Sequence, residues 1–161
     1  MNRCRCCCGR MSRRGWGELM ADLKMASEAA RRAAESLLRS TGGRAVYLRV
    51  PTPASAASIN EQIGLATPEF QDAELSPVVF RRARPRPTKD GARWELLVSA
   101  ISVSGILGLT GATDALALFA GAFGVLVGDS LMEIEAVSSS DMNGSPYVYR
   151  VVLRAPLAKS V

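Results

Sequence analysis

Hydrophobic and polar residues recur along this chain with two different periods. Over residues 17–40, Leu19, Leu23, Ala26, Ala30, Ala34 and Leu37 return every three or four positions, as one face of an α-helix does. Glu28 with Arg32, and Glu35 with Arg39, are favourable i,i+4 pairs on the polar side, and Gly42-Gly43 stops the helix. The alanine-rich stripe is thin, so the helix is expected to lie close against a surface, its own sheet or a neighbour. From Arg44 the period changes to two. Val46, Leu48 and Val50 alternate with Tyr47 and Arg49, which predicts a strand ended by Pro51 and Pro53. A long connection over 51–77 follows, pinned by Ile59, Ile63, Leu65, Phe70 and Leu75. Residues 78–84 and 93–100 read as a hairpin, with Asp90-Gly91 as a turn signal at its tip.

Residues 96–128 are mostly apolar and long enough to suggest a membrane span. Ser99, Ser102, Ser104, Thr110, Thr113 and Asp114 interrupt the stretch, and glycines stand at 105, 108, 111, 121 and 124. A mid-span charge is costly in lipid. The pattern instead predicts a strand, a glycine-rich turn and a short helix capped by Thr113. Leu116, Phe119 and Phe123 would share one face of it, and Gly124 would end it. Residues 125–127 and 131–137 form a second hairpin across Gly128-Asp129. Met132, Ile134 and Ala136 alternate with Glu133 and Glu135. After a polar loop, SSSDMNGSP, the residues Tyr147, Tyr149, Val151 and Leu153 face one way, and Arg150 and Arg154 the other. Glu133 and Glu135 are placed to pair with Arg150 or Arg154 across strands.

These elements predict a mainly β (α+β) fold. It is a small β-barrel or compact sandwich of about five or six short strands, with an N-terminal amphipathic helix and a short inserted helix. The expected organisation is a tail over 1–16, a helix over 17–41 and a barrel-like domain over 42–157 that carries the long loop 51–77. No internal repeat is present.

Composition changes the picture in three ways. The 161 residues, 48% of them hydrophobic, suffice for one core. No histidine occurs, so histidine-based triads and histidine-containing zinc sites are excluded. The net charge of +5 is uneven. Arg3, Arg5, Arg10, Arg13 and Arg14 against Glu18 put most of it in the first twenty residues. All cysteines stand at Cys4, Cys6, Cys7 and Cys8. Adjacent cysteines do not staple a domain, and CxCCC lacks the two separated pairs of a zinc site. That segment is expected to be a disordered tail, with Met11 and Met20 as alternative starts to Met1. A cysteine-free remainder suits a reducing cytoplasm.

No catalytic, cofactor-binding or metal-binding set emerges, and no enzymatic role is expected. Glu133 and Glu135 share the solvent face of a strand, Ser138–Ser140 has no base to activate it, and the glycines at 105, 108 and 111 lack P-loop or dinucleotide-binding spacing. The most basic segment outside the tail holds Arg81, Arg82, Arg84, Arg86, Lys89 and Arg93, a candidate contact for DNA phosphate or an acidic partner. No aromatic platform is interleaved with it, which disfavours base-reading.

The succession of a short helix leading into TGGRAVYLRVPTP, the excursion EQIGLATPEFQDAELSPVVFRRAR and the late strands GVLVGDSLMEIEAVSSSDMNGSPYVYRVVLR resembles small neck proteins of tailed bacteriophages and prophages. These are of the head–tail connector, head-closure or stopper type, and the resemblance spans about residues 20–155. It implies a small barrel with a long loop, copies arranged as a homo-oligomeric ring between portal or adaptor and tail proteins, and a loop that helps close the DNA channel. The implied location is the virion, assembled in the bacterial cytoplasm without a membrane. Glu61, Gln62, Phe70, Gln71 and Asp72 are the candidate channel-loop residues. Packaged DNA would be touched without sequence preference. A tail terminator or tail-completion protein, an OB-like nucleic-acid-binding module and a small membrane-associated protein are the alternatives.

Overall fold

The computed structural model describes residues 13–41, 44–52, 69–83 and 92–155. Six strands close into an antiparallel barrel in the order β1-β2-β3-β6-β5-β4, and β4 returns to β1. They are β1 Arg44–Pro51, β2 Phe70–Arg82, β3 Arg93–Ser99, β4 Gly124–Val127, β5 Ser130–Met142 and β6 Ser145–Arg154. Helix α1 is Arg13–Ser40, and two short helices, α2 Ala100–Thr110 and α3 Ala115–Gly121, link β3 to β4.

Strand alternation produces the core. Val46, Leu48 and Val50 point inward and meet Leu75, Val78, Leu96, Val98, Val125, Val151 and Leu153, all fully or almost fully buried. A two-residue period places every second side chain inside a closed wall, so a barrel of this size fills with its own side chains. The seam is tight where β4 meets β5. A Cβ on Gly124 would lie 2.5 Å from the carbonyl oxygen of Met132.

The expected excursion over 51–77 is too long. β2 begins at Phe70 and pairs with β1 through Pro51–Phe70, Val50–Gln71 and Arg49–Asp72. Residues 53–68 lie outside the described residues. The thirteen residues of β2 alternate imperfectly, because the pairing with β1 shifts between Arg44 and Val46, and this hid the strand's first half.

The glycine-rich turn expected near residues 105–111 is helix α2. Ser99 caps it by accepting from the Ser102 amide at 3.1 Å, and Gly111 ends it in the left-handed region at φ 69°. Gly105 and Gly108 face open space, so they weaken the helix without breaking it. Asp114, not Thr113, caps α3, accepting from the Ala117 amide at 2.8 Å. Of the three residues expected on one face, only Phe119 is buried. Leu116 is exposed, and Phe123 lies beyond the helix and is exposed. Gly124 opens β4 rather than ending the helix.

The polar loop SSSDMNGSP is also strand. β5 runs to Met142 and β6 starts at Ser145, leaving Asn143-Gly144 as a two-residue turn with φ of 53° and 75°. Positive φ at both centres matches the right-handed twist of a hairpin, and Asn-Gly is the pair that best tolerates it. A register shift between Ile134 and Ala136 turns Ala136 outward, contrary to the simple alternation.

Helix α1 starts four residues before the expected position and crosses the outer surface of β2, β3 and β6. It buries Ser27, Ala34 and Leu38, while Leu19, Leu23 and Leu37 are exposed. The stripe was therefore misplaced by about one position, and small residues make the close contact. Arg31 Nε donates to the Pro146 carbonyl at 2.9 Å, which ties the helix to the tip of the β5–β6 hairpin.

Candidate functional site

Antiparallel pairing sorts the candidate residues to opposite ends of the barrel. One end, the cap, gathers the end of β1, the start of β2, helices α2 and α3, and the Asn143-Gly144 turn. The other, the basic end, gathers the start of β1, the end of β2, the start of β3 and the end of β6. Phe70 and Arg82, at the two termini of β2, are separated by about 40 Å of strand.

At the cap, α2 and α3 span the barrel mouth. Val103, Ile106, Leu118 and Phe119 are buried, and Phe119 tilts against Tyr149 with ring centroids 6.1 Å apart. The outward surface remains apolar. Ile101, Leu109, Leu116 and Phe123 are exposed, and Asp114 is the only charged residue between Ala100 and Phe123. Phe70 packs on Phe123 at 5.1 Å, so this channel-loop candidate is part of the cap surface. An open groove of about 540 Å³ runs beside it between α3 and β5, lined by Leu116, Phe119, Phe123 and Ile134 among others.

Gln71 and Asp72, two further loop candidates, are strand residues. Asp72 accepts two hydrogen bonds from Arg49 on β1, at 2.8 Å each. That hydrogen bonding lowers the Asp72 pKa, and the slight desolvation opposes it. Glu61 and Gln62 lie outside the described residues. Thr52 donates its amide to the Glu69 carbonyl at 2.8 Å, so the chain leaves the barrel and re-enters it at one point on the cap rim.

At the basic end, Glu95 organises the outer wall. It is 4% exposed and stands opposite Arg81 in the β2–β3 register. Arg81 Nε donates to it at 2.6 Å from one side, and Arg150 of β6 pairs with it from the other. Burial raises its pKa, but the Arg81 hydrogen bond and the charges of Arg150 and Arg81 outweigh this and hold it below the ordinary glutamate range. Arg93 pairs with Glu135 at 2.7 Å. The expected pairing of Glu133 or Glu135 with Arg150 or Arg154 is therefore corrected. The bulge after Ile134 redirects Glu135 to β3, and Arg150 is taken by Glu95.

Of the six basic candidates, Arg81 and Arg93 are thus engaged by carboxylates, and Arg84, Arg86 and Lys89 lie outside the described residues. Arg82 is exposed and makes no ion pair among the described residues. Its register partner is Trp94, which stacks on Phe80 at 4.9 Å with planes 10° apart. An aromatic pair therefore accompanies the basic hairpin. It is half-buried and packs against the core. Sequence reasoning also missed Arg44 and Arg154, which the topology brings to this end. The Arg81–Glu95 pair was legible in principle, as facing positions of the 78–84/93–100 hairpin.

Among the described residues, no group of three or more acidic or cysteine side chains is arranged to hold a metal ion. No single helix there is long and apolar enough to cross a membrane; α2 and α3 together are apolar enough but are bent by 66° at their break. No protein-family model, curated protein or solved structure matches the chain.

Proposed function

We propose that the chain is a structural subunit of a phage head–tail neck, forming a ring that joins the portal to the tail and helps close the DNA channel. Its role is assembly, not catalysis, and its place is the virion. The observation that carries this reading is the junction at Thr52 and Glu69. A sixteen-residue insertion, 53–68, is anchored at both ends on the rim of a rigid closed barrel. Both ends of that segment are thereby held together at one point, as suits a functional loop. The cap helices beside it, with Asp114 as their single charged residue, offer apolar side chains for a neighbouring protein, as interface centres do. An OB-like module is less well supported, because that fold is a five-stranded, partly open barrel, whereas this one closes with six strands through β1–β4 pairing.

The test is to replace residues 53–68 by a short Gly/Ser linker in the complete phage or prophage. The barrel should fold with an unchanged melting profile, and particles should form but fail to retain DNA. DNA-filled infectious particles from that variant would remove the channel-closing role.

A further inference from the structure

The barrel closes through its shortest strand, and that leaves one strand edge open. β4 has four residues and pairs with β5 only over Ser130–Met132. β5 runs on to Met142, and beyond Met132 its one strand neighbour among the described residues is β6. Helix α3 stands across the open groove from Glu133–Val137. Ser138, Ser139, Ser140, Asp141 and Met142 are all exposed. An unpaired edge is a template for another strand, and proteins block unwanted pairing there with lysine, proline or a bulge. Ala136–Met142, with the sequence AVSSSDM, carries neither lysine nor proline. The shift between Ile134 and Ala136 adds its extra residue, Glu135, just before this stretch, and the shift at Ser140/Asp141 adds its extra residue, Tyr147, to β6. The β5 edge is therefore regular for about 24 Å.

We infer that this edge is a two-fold dimer contact, in which β5 pairs antiparallel with β5 of a second copy about an axis through Ser139. The sequence is self-complementary in that register. Ser138 meets Ser140, Ser139 meets itself, and Asp141 meets Val137, so no carboxylate in the stretch faces another. Glu133 and Glu135 fall outside the paired stretch. The same register sets Met142 of the second copy beside Ala136, which lines the groove with Leu116, Phe123 and Ile134. Met142 is 42% exposed in the single chain, and a flexible thioether suits an irregular apolar groove. One contact thus employs the open edge, the groove and the exposed methionine together. Helix α1 is tied by Arg31 to the Pro146 carbonyl on β6, the far side of the hairpin, and leaves Ser138–Met142 uncovered. A two-fold contact closes on itself and builds no ring. The inference therefore goes beyond the neck reading: it concerns the free protein and leaves ring contacts to other surfaces.

The experiment is sedimentation velocity of the full chain across the micromolar range in reducing buffer, where a monomer–dimer equilibrium is expected. Ser138→Lys/Ser140→Lys sets lysines opposite one another across the axis and should weaken the dimer at least about tenfold with an unchanged melting profile. Ser130→Lys, at the other end of β5, should leave the equilibrium as it is. A second readout does not depend on the lysine variant. With the four tail cysteines replaced by serine, Ser139→Cys should form a disulfide-linked dimer on mild oxidation, because directly facing residues hold their Cβ atoms about 5 Å apart, and Ser130→Cys should not. A monomer at every concentration, a dimer indifferent to the lysines, or equal cross-linking through both cysteine positions would overturn the assignment. Dimers that appear only when residues 53–68 are replaced by a Gly/Ser linker would overturn it in favour of that segment as the occupant of the edge. Larger rings in place of dimers would overturn it in favour of a head-to-tail contact.

Discussion

The two ends of the barrel solve the same problem, closing a mouth, with opposite chemistry. At the cap, two short helices with a single charged residue lay Phe119 and Leu118 over the core and leave Leu109 and Phe123 facing outward. At the basic end, a stacked, half-buried Phe80–Trp94 pair packs on the core, and an arginine–glutamate lattice lies on the outer wall. Apolar closure has no directional demand and depends on packing. Charged closure depends on protonation and tolerates solvent. The difference predicts different responses of the two ends to mutation, acid and salt.

The largest expected effect is at the cap. Phe119→Ala should destabilise the fold by about 3–5 kcal/mol, because a fully buried ring is replaced by a cavity. The loss, read from urea midpoints, should be the same at low and high salt. A loss below about 1 kcal/mol would mean that α3 is not part of the core. Next is the seam that joins the two ends. Gly124→Ala should cost about 2 kcal/mol, since its Cβ meets backbone at 2.5 Å and the neighbouring strand must move. Unfolding midpoints would show this, and a neutral result would indicate that β4 and β5 separate readily.

The smallest effect, and the one that sharpens the comparison most, is at Glu95. Its native pKa lies below its unfolded value, so its contribution is fully present above the unfolded value. That contribution is lost as pH falls through the lower native value. Glu95→Gln should cost about 1–2 kcal/mol at about pH 7 and progressively less on acidification, with the parent and variant converging once the pH has fallen through the lowered native pKa. Parallel stability curves over that range would show that Glu95 is not held ionised by Arg81 and Arg150.

Much of the barrel was legible in the sequence because alternation is a local signal. Val46, Leu48 and Val50, the pairing of 78–82 with 94–98 and the Gly128-Asp129 turn all come from short-range pattern and are present in the fold, whereas the hairpin tip over 84–91 lies outside the described residues and Ala100 opens α2. Asn143-Gly144 was equally legible, but the surrounding serines disguised two strand ends as a loop. Helix α2 was hidden because three glycines weigh against helix locally, whereas burial of Val103 and Ile106 across the barrel mouth decides it. The candidate site was only partly legible. Arg82 stands out in a basic run, but which arginines are paired depends on register, a bulge and strand order. Arg44 and Arg154 lie more than a hundred residues apart in sequence, and only the pairing of β1 and β6 through β2 and β3 brings them to one end.

The most direct test of the account is the protein content of purified particles. Particles from the source would be banded by density, treated with nuclease and protease, and searched by peptide mass spectrometry for this chain and for portal protein. The account predicts the chain at a fixed low copy number per particle, in constant ratio to portal. Its absence from clean particles, with the protein present in the cell extract, would contradict the neck assignment.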